Sequence, residues 1–188
     1  TIFLASLHPA WADEPPPRTL TVAGHTEAFY QWNFNDPSNG LTNFRGFDNR
    51  HHAFTLSNAV LDVTGSTGAA SARWALQIGH TPESYYQAEP VSPGAAGAAT
   101  TGPGVWKYLQ QANVGYVVPL GTGLLVEAGL LLTPIGPEGF AVKDQWHWSR
   151  SNLFFGLPYY HTGVRASYAP SAAWSLFTLV SNGWNSVV

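Results

Sequence analysis

Hydrophobic and polar residues alternate along this chain, most clearly in residues 159–168. The even positions of this segment carry no charge, whereas the odd positions include His161 and Arg165. Side chains alternate across a strand, so one face suits an apolar medium and the other suits water. Tyr160 and Tyr168 stand at the two ends of the uncharged face, like the aromatic girdle of a membrane strand. The pattern therefore predicts a strand of an outer-membrane β-barrel.

The same alternation predicts about seven strands. They cover residues 19–34, 54–63, 70–80, 105–118, 124–132, 159–168 and 174–184. Most of these lengths match the ~9–11 residues that a tilted strand needs to span the hydrocarbon. In the second strand the apolar phase changes between Leu56 and Leu61, so either a β-bulge near Ala59 or an irregular strand is expected. We predict an all-β fold, an antiparallel transmembrane β-barrel of which this chain forms an N-terminal fragment.

The connections between the predicted strands alternate in length. The long ones cover residues 35–50, 81–104 and 136–157, and the short ones cover residues 64–68, 119–123 and 169–173. Outer-membrane barrels have long extracellular loops and short periplasmic turns. The first strand is therefore predicted to run outward from the periplasm. Residues 93–99 are of low complexity and predict a flexible part of the second long loop.

The two ends of the chain carry further expectations. An apolar run over residues 1–7 is followed by Ala10 and Ala12, which fit the small-residue rule for signal-peptide cleavage. Residues 1–12 are thus predicted to be a signal-peptide remnant, with a buried N-terminal strand as the alternative. Residues 13–188 are predicted to be the N-terminal part of a single barrel domain. Bacterial single-chain barrels have even strand numbers, so seven strands predict that further strands follow.

Composition narrows the class of protein. Charged residues make up 10% of the chain, against roughly 25% in soluble domains. A mean hydropathy of -0.06 is too low for a helical membrane protein. Strands of a membrane barrel explain this value, because half of their side chains face water and are polar. The net charge of -3 argues against a nucleic-acid partner. Cysteine is absent, which excludes disulfides and thiolate metal sites.

Six stretches carry a resemblance to a known family. They are residues 30–35, 43–48, 54–56, 143–151, 158–165 and 181–185. Together they resemble the OmpL-like putative β-barrel porin family of Gram-negative bacteria, over nearly all of the chain after residue 12. The resemblance implies an outer-membrane barrel assigned as a porin, with no defined substrate and no catalytic residues to carry over. Members of this family are longer than this chain, which agrees with a fragment.

The odd-numbered positions of the strands supply the polar groups that a pore needs on its inner surface. The predicted pore-lining residues are His25, Glu27, Gln31, Arg73, Gln77, Lys107, Gln111, Asn113, Glu127, His161 and Arg165. Both charge signs are present, so no preference for anions or cations is predicted. The alternative is that these side chains fill a small or plugged barrel with ion pairs. Residues 146–150 are a candidate for a loop that folds inward, or equally for one that packs on the rim.

Three other groups of residues invite a chemical interpretation. His51 and His52 are adjacent, but neighbouring side chains on an extended chain point apart, so a hydrated or hydrogen-bonded pair is predicted rather than a metal site. A Ser–His–Asp triad is recognised by geometry, and no spacing here selects one serine. We therefore expect no catalytic residue, cofactor or metal. Four loop aromatics fit either sugar stacking or anchoring and loop packing: Tyr85, Tyr86, Trp146 and Trp148.

These patterns predict a porin, a passive channel for the diffusion of small hydrophilic solutes. The alternatives are a plugged barrel that displays adhesive or ligand-binding outer loops and, third, an outer-membrane lipase-type enzyme. The expected partners are membrane lipid and lipopolysaccharide outside the barrel and small hydrophilic solutes inside it, without nucleic acid. A homo-oligomer is left open. The predicted location is the outer membrane, reached by export through the periplasm.

Overall fold

The computed structural model describes residues 17–89 and 103–187. Its seven strands form one sheet in the order in which they follow along the chain, and every neighbouring pair is antiparallel. The strands are β1 (Arg18–Gln31), β2 (Ala53–Thr67), β3 (Ala70–Ile78), β4 (Leu109–Val118), β5 (Leu124–Leu132), β6 (Tyr160–Ser171) and β7 (Trp174–Ser181). The predicted all-β antiparallel sheet of about seven strands is confirmed. The signal-peptide remnant at residues 1–12 and the low-complexity stretch at 93–99 lie outside the described residues.

Short helices lie in the long connections. They are α1 (His80–Tyr85), α2 (Pro103–Trp106) and α3 (Asn152–Phe155), with 3₁₀ turns at Tyr86–Ala88 and Val142–Asp144. A serine side chain, Ser151, caps α3 by accepting a hydrogen bond of 3.3 Å from the backbone N–H of Phe154. None of the helices in the described part of the chain has the length and hydropathy that crossing a membrane requires.

Strand ends differ from the predictions where the chain turns into a loop. The predicted bounds of β5 are confirmed, but β1 ends at Gln31 because the N–H of Asn33 donates to the His51 ring rather than to a neighbouring strand. The predicted start of the fourth strand at residue 105 is wrong, because helix α2 precedes β4. The seventh strand ends at Ser181, so the predicted end at residue 184 is also wrong.

A β-bulge in β2 explains the change of apolar phase. Glu27 pairs with Asn58 and Ala28 pairs with Leu56, which leaves Ser57 as the extra residue. The bulge therefore lies two residues before Ala59, and the alternative of an irregular strand is not needed. Beyond the bulge, the even-numbered residues of β2 share a face with the odd-numbered residues of β1.

The alternation of long and short connections is confirmed. The three long loops are loop 1 (residues 32–52), loop 2 (residues 79–108) and loop 3 (residues 133–159). Residues 68–69, 119–123 and 172–173 form the short turns. Because neighbouring strands are antiparallel, all three long loops leave the same end of the sheet. Which side of a membrane this end faces stays a prediction.

The two faces of the sheet differ in chemistry. On β3, the exposed side chain of Trp74 (65% exposed) is followed by Ala75, which is fully buried, and the same alternation continues through Gln77 (1% exposed). We call the exposed side the apolar face. It carries Leu20, Val22, Leu61, Trp74, Leu76, Ile78, Val114, Tyr116, Val164, Trp174, Leu176 and Val180. We call the opposite side, with Glu27, Arg73, Gln111 and Glu127, the polar face.

Aromatic side chains form the buried core at the loop end of the sheet. All three long loops contribute to this aromatic cluster, together with the ends of β5 and β6 and residue 187. Its buried members are Phe47, Tyr85, Tyr86, Leu130, Phe140, Phe154, Tyr159, Tyr160 and Val187. The rings of Tyr86 and Tyr160 stack with centroids 4.6 Å apart. Of the two interpretations of Tyr85 and Tyr86, loop packing is therefore confirmed.

Candidate functional site

Two ion pairs join neighbouring strands on the polar face. The Arg73 guanidinium on β3 donates from Nε to Asp62 Oδ1 on β2 over 3.0 Å. The Arg165 guanidinium on β6 donates to Glu127 Oε2 on β5, over 2.9 Å from Nε and 2.6 Å from Nη2. Opposite charges across adjacent strands stabilise that pairing. The polar face thus carries both charges in balanced pairs.

Glu27 on β1 is the centre of a third charged group. Its carboxylate accepts a hydrogen bond of 2.8 Å from the backbone N–H of Val142 and lies 3.4 Å from Nη2 of Arg150. On the other side, Nε2 of His25 lies 3.6 Å from Glu27 Oε1. Glu27 therefore joins β1 to loop 3.

Loop 3 crosses the polar face of the sheet to make these contacts. Loop 3 leaves from β5, which lies four inter-strand spacings away from β1 in the sheet. At about 4.8 Å per strand, this corresponds to roughly 19 Å along the sheet. Of the two interpretations of residues 146–150, inward folding fits Arg150, which is 5% exposed. It does not fit Trp146, which is fully exposed.

Aromatic rings surround the Arg150 guanidinium. The Cζ atom of Arg150 lies 5.3 Å from the ring centroid of Phe47, 5.1 Å from that of Phe140 and 5.6 Å from that of Phe154. Burial lowers the pKa of Arg150, and the Glu27 carboxylate opposes that effect. Such a cation held against aromatic faces fixes the position of loop 3 relative to loop 1.

Loops 1 and 3 are also joined by a small polar network. The Ser149 hydroxyl donates to Asp48 Oδ2 over 2.6 Å, and the Arg45 guanidinium donates to both side chains. The Cζ atom of Arg45 lies 5.4 Å from the centroid of the Trp148 ring. Asp48 is buried, so this network reaches under the loop surface.

Gln77 links β3 to its neighbours and to loop 2. Its Oε1 accepts hydrogen bonds from Gln110 Nε2 at 3.1 Å and from Asn58 Nδ2 at 3.4 Å. Its Nε2 donates to the hydroxyl of Tyr85. A buried amide bonded on both sides fixes the register of the strands that meet there.

Three predicted pore-lining residues are occupied by loop contacts. Gln31 Nε2 donates to Thr42 Oγ1 of loop 1 over 3.1 Å. His161 is buried between Thr133 Oγ1, 3.2 Å from its Nε2, and the carbonyl oxygen of Gly183, 3.0 Å from its Nδ1. Lys107 was expected on a strand but lies in the turn before β4, because the chain at residues 103–106 is helical.

Lys107 and the remaining predicted side chains differ in their surroundings. The ammonium of Lys107 donates to Glu83 within loop 2 over 2.5 Å, and this hydrogen bond raises the pKa of the lysine. Asn113 on β4 donates to the backbone oxygen of Leu130 over 3.4 Å. Gln111 Nε2 is buried and makes no hydrogen bond with the described part of the chain. Lining of a pore by any of these residues stays a prediction.

His51, at the end of loop 1, adopts the hydrogen-bonded arrangement predicted for the histidine pair. Nδ1 of His51 accepts from the N–H of Asn33 over 2.9 Å, and its Nε2 lies 3.1 Å from Asp36 Oδ1. The ring of His52 packs against Trp32, with centroids 4.5 Å apart. Within residues 17–89 and 103–187, no three His, Asp or Glu side chains are grouped to hold a metal ion.

Sequence reasoning missed Asp62 and the role of Phe140. Without a bulge, the alternation of β2 would put Asp62 on the same face as Phe54 and Leu56. The bulge at Ser57 shifts the register, and Asp62 lies on the polar face. The phase change itself was the signal that could have identified it. Phe140 lies in a loop without periodicity, and no pattern in the sequence indicates its packing against Arg150.

Comparison with known proteins agrees with this geometry. Neither the curated proteins nor the solved structures give a significant match to the chain. The sequence model of one family, described as putative beta-barrel porin-2, OmpL-like, matches residues 19–188. That match begins at the second residue of β1 and includes the other six strands and the three long loops. The chain therefore belongs to the OmpL-like putative β-barrel porin-2 family, a porin-like family of the outer membrane.

Proposed function

We propose that this protein is an outer-membrane porin, a passive channel through which small hydrophilic solutes diffuse. The observation that supports it is the division of one sheet into an apolar face and a face of paired charges. Alternation of this kind places lipid on one side of a barrel wall and water on the other. The proposal includes contact of the apolar face with membrane lipid and lipopolysaccharide. It also includes export through the periplasm and a single barrel domain over residues 13–188.

The charges on the polar face define the expected selectivity. Asp62 pairs with Arg73 and Glu127 pairs with Arg165, so the wall presents no excess of either sign. A pore selects ions through unbalanced rings of charge. We therefore expect weak ion selectivity. Loop 3, held on β1 by Glu27 and Arg150, is the segment expected to narrow the path.

Single-channel conductance of the refolded full-length protein in a planar lipid bilayer tests the proposal. Discrete, reproducible current steps are expected, with a reversal potential close to zero in a salt gradient. Ser71 and Ala72 offer a matched pair of variants, because neighbouring residues of β3 lie on opposite faces. Ser71→Trp should lower the conductance, whereas Ala72→Trp should leave it unchanged. A folded protein that never conducts would contradict the channel.

The aromatic cluster supports one alternative, a plugged barrel that displays its outer loops. Phe47, Phe140 and Tyr159 bury loops 1 and 3 against each other at the end of the sheet. Trp146 and Phe44 remain exposed on the same loops. If the folded protein is silent in the bilayer and conducts only after removal of residues 141–150, the plugged barrel replaces the porin. Neither proposal assigns catalytic chemistry to the chain.

A further inference from the structure

A cavity of about 450 Å³ lies between the polar face and loop 3. Strands β1 to β5 form one side of it and residues 139–144 form the other. Among the side chains that line it are His25, Asp62, Arg73, Gln111, Phe140 and Lys143. The volume falls within the ~300–1,000 Å³ range of small-molecule sites in proteins.

The charged groups of the cavity are all paired with each other. Arg73 Nε donates to Asp62 Oδ1 over 3.0 Å, and Lys143 Nζ donates to Asp144 Oδ1 over 2.6 Å. Two positive and two negative side chains cancel. An ion that leaves water requires an uncommitted opposite charge, because burial of an unpaired charge is very costly. The cavity offers none, so its lining disfavours ionic ligands.

Two polar groups that line the cavity make no hydrogen bond with the described residues. Gln111 is 5% exposed, and its Nε2 makes no hydrogen bond with the described residues. The Nε2 atom of His25 is likewise buried without a hydrogen bond, at 3.6 Å from the nearer carboxylate oxygen of Glu27. Buried polar groups are nearly always hydrogen-bonded in folded proteins, so unpaired ones that line a cavity indicate a missing partner. These two groups suit a partner with hydroxyl oxygens, which both donate and accept.

Phe140 adds an apolar surface to this polar lining. Its ring is buried in the aromatic cluster and lies against the Arg150 guanidinium, which fixes its orientation. A sugar combines hydroxyl groups with carbon–hydrogen faces that pack on aromatic rings. Paired charges, an unpaired amide and one fixed ring thus match an uncharged sugar better than an amino acid or an inorganic ion.

We propose that this cavity is a binding site for a neutral, polyhydroxylated solute of sugar size, with Gln111 and His25 as its hydrogen-bonding groups. The inference rests on the proposed porin function and names the class of solute for which the path has a site. Lys143 and Phe140 belong to loop 3, so a bound solute contacts both the sheet and the loop.

Equilibrium dialysis of the refolded, detergent-solubilised protein against radiolabelled glucose and maltose tests the site without any need for conduction. Saturable binding of at least one of the sugars to one site per chain is expected. Unlabelled glycine and acetate should not compete, because the lining has no free charge for them. Absence of saturable binding for both sugars, or displacement by glycine or acetate, would overturn the proposal.

Variants assign the binding to this cavity. Gln111→Leu removes the unpaired amide and should weaken binding about tenfold, the effect of one lost hydrogen bond in a buried site. Gln111→Glu keeps the size of the side chain, so it serves if the leucine variant does not fold. Gln87→Leu is the matched control, because Gln87 is exposed in loop 2 and does not line this cavity. Equal affinities in all four proteins would place the site elsewhere.

The two proposals fail in different ways. If the protein binds sugar in dialysis but does not conduct, the porin proposal is overturned and the binding-site proposal stands. If the protein gives current steps but no saturable sugar binding, the binding-site proposal is overturned and the porin proposal stands.

Discussion

Arg150 has an environment that differs from that of a surface arginine, with three aromatic rings and one carboxylate around it. Arg150→Met keeps much of the side-chain volume but leaves the Glu27 carboxylate, which is 10% exposed, without its cation. Removal of one partner of a buried ion pair costs about 3 kcal/mol. We expect a loss of this size in the free energy of unfolding, measured by urea titration in lipid vesicles.

An exposed arginine provides the control for this prediction. Arg50 lies on the surface at the end of loop 1, so Arg50→Met should change the free energy of unfolding by less than about 0.5 kcal/mol. Equal losses in the two variants would mean that the contacts of Arg150 contribute no more than an ordinary surface side chain.

His80, at the start of α1, makes the stability of the loops depend on pH. Burial, and secondly the Arg50 cation, lower the pKa of His80 below 6.5, while Glu83 opposes the shift. As the pH falls, the unfolded chain therefore binds a proton before the folded chain does. His80 thus favours the folded state less as the pH falls from about 6.5 through the lowered folded pKa.

Comparison of urea midpoints at pH 8 and pH 5.5 measures the contribution of His80. In His80→Gln, a side-chain amide replaces the ring that lies 2.8 Å from Asn49 Oδ1, and it does not titrate. The fall in midpoint between the two pH values should be smaller in this variant. An identical fall in both proteins would show that the other histidines account for the pH dependence.

Residues on regular strands were more predictable than residues in loops. The ten predicted residues that lie on strands follow the alternation from His25 to Arg165, because a side-chain period of two is local and independent of distant contacts. Lys107 was misplaced because Pro103, which has no N–H for a ladder, begins a helical turn before β4. Arg150 was only part of a candidate segment, since its aromatic partners come from three separate stretches of loop.

At the scale of the elements, Gly129 on β5 controls the contact with β4. Its φ is +127°, and a Cβ atom there would lie 2.2 Å from the carbonyl oxygen of Ala112. Gly129→Ala should therefore destabilise the sheet by about 3 kcal/mol or more, from backbone strain and overlap together. The measurement is the fraction of heat-modifiable, folded protein on a gel after refolding.

Gly65 on β2 is the matched control for this substitution. The nearest atom to a Cβ at that position is 3.8 Å away, and no positive φ requires glycine. Gly65→Ala should refold as the wild type does. If both variants refold equally well, the close approach of β4 and β5 at Gly129 is not needed for folding.

Among the elements, β5 and the β2 bulge were the most predictable. The uninterrupted alternation of β5 gave its bounds, and the phase change of β2 located the bulge within two residues. The ends of β1 and β7 were less predictable because Trp32 and Trp184 continue the apolar pattern after the ladder has ended. A hydrophobic pattern records which face a side chain occupies, and it does not record where pairing stops.

At the scale of the whole molecule, the apolar face predicts the depth of individual tryptophans in a membrane. Trp74 and Trp174 lie on that face, whereas Trp146 is fully exposed on loop 3. In vesicles of lipids with brominated acyl chains, Trp74→Phe should reduce the part of the fluorescence that is quenched. Trp146→Phe should leave the quenched part unchanged. Equal effects of the two substitutions would contradict the proposed membrane contact.

The contact of loop 3 with β1 also has a consequence for the order of folding. Arg150 lies 123 residues after Glu27 along the chain. Long-range contacts form late, because the chain entropy lost in closing such a segment is recovered only when the intervening strands are paired. Closure of loop 3 is thus a final step, and until then the Glu27 carboxylate lacks its cation. The Glu27–Arg150 pair therefore forms only after the sheet from β1 to β5 is complete.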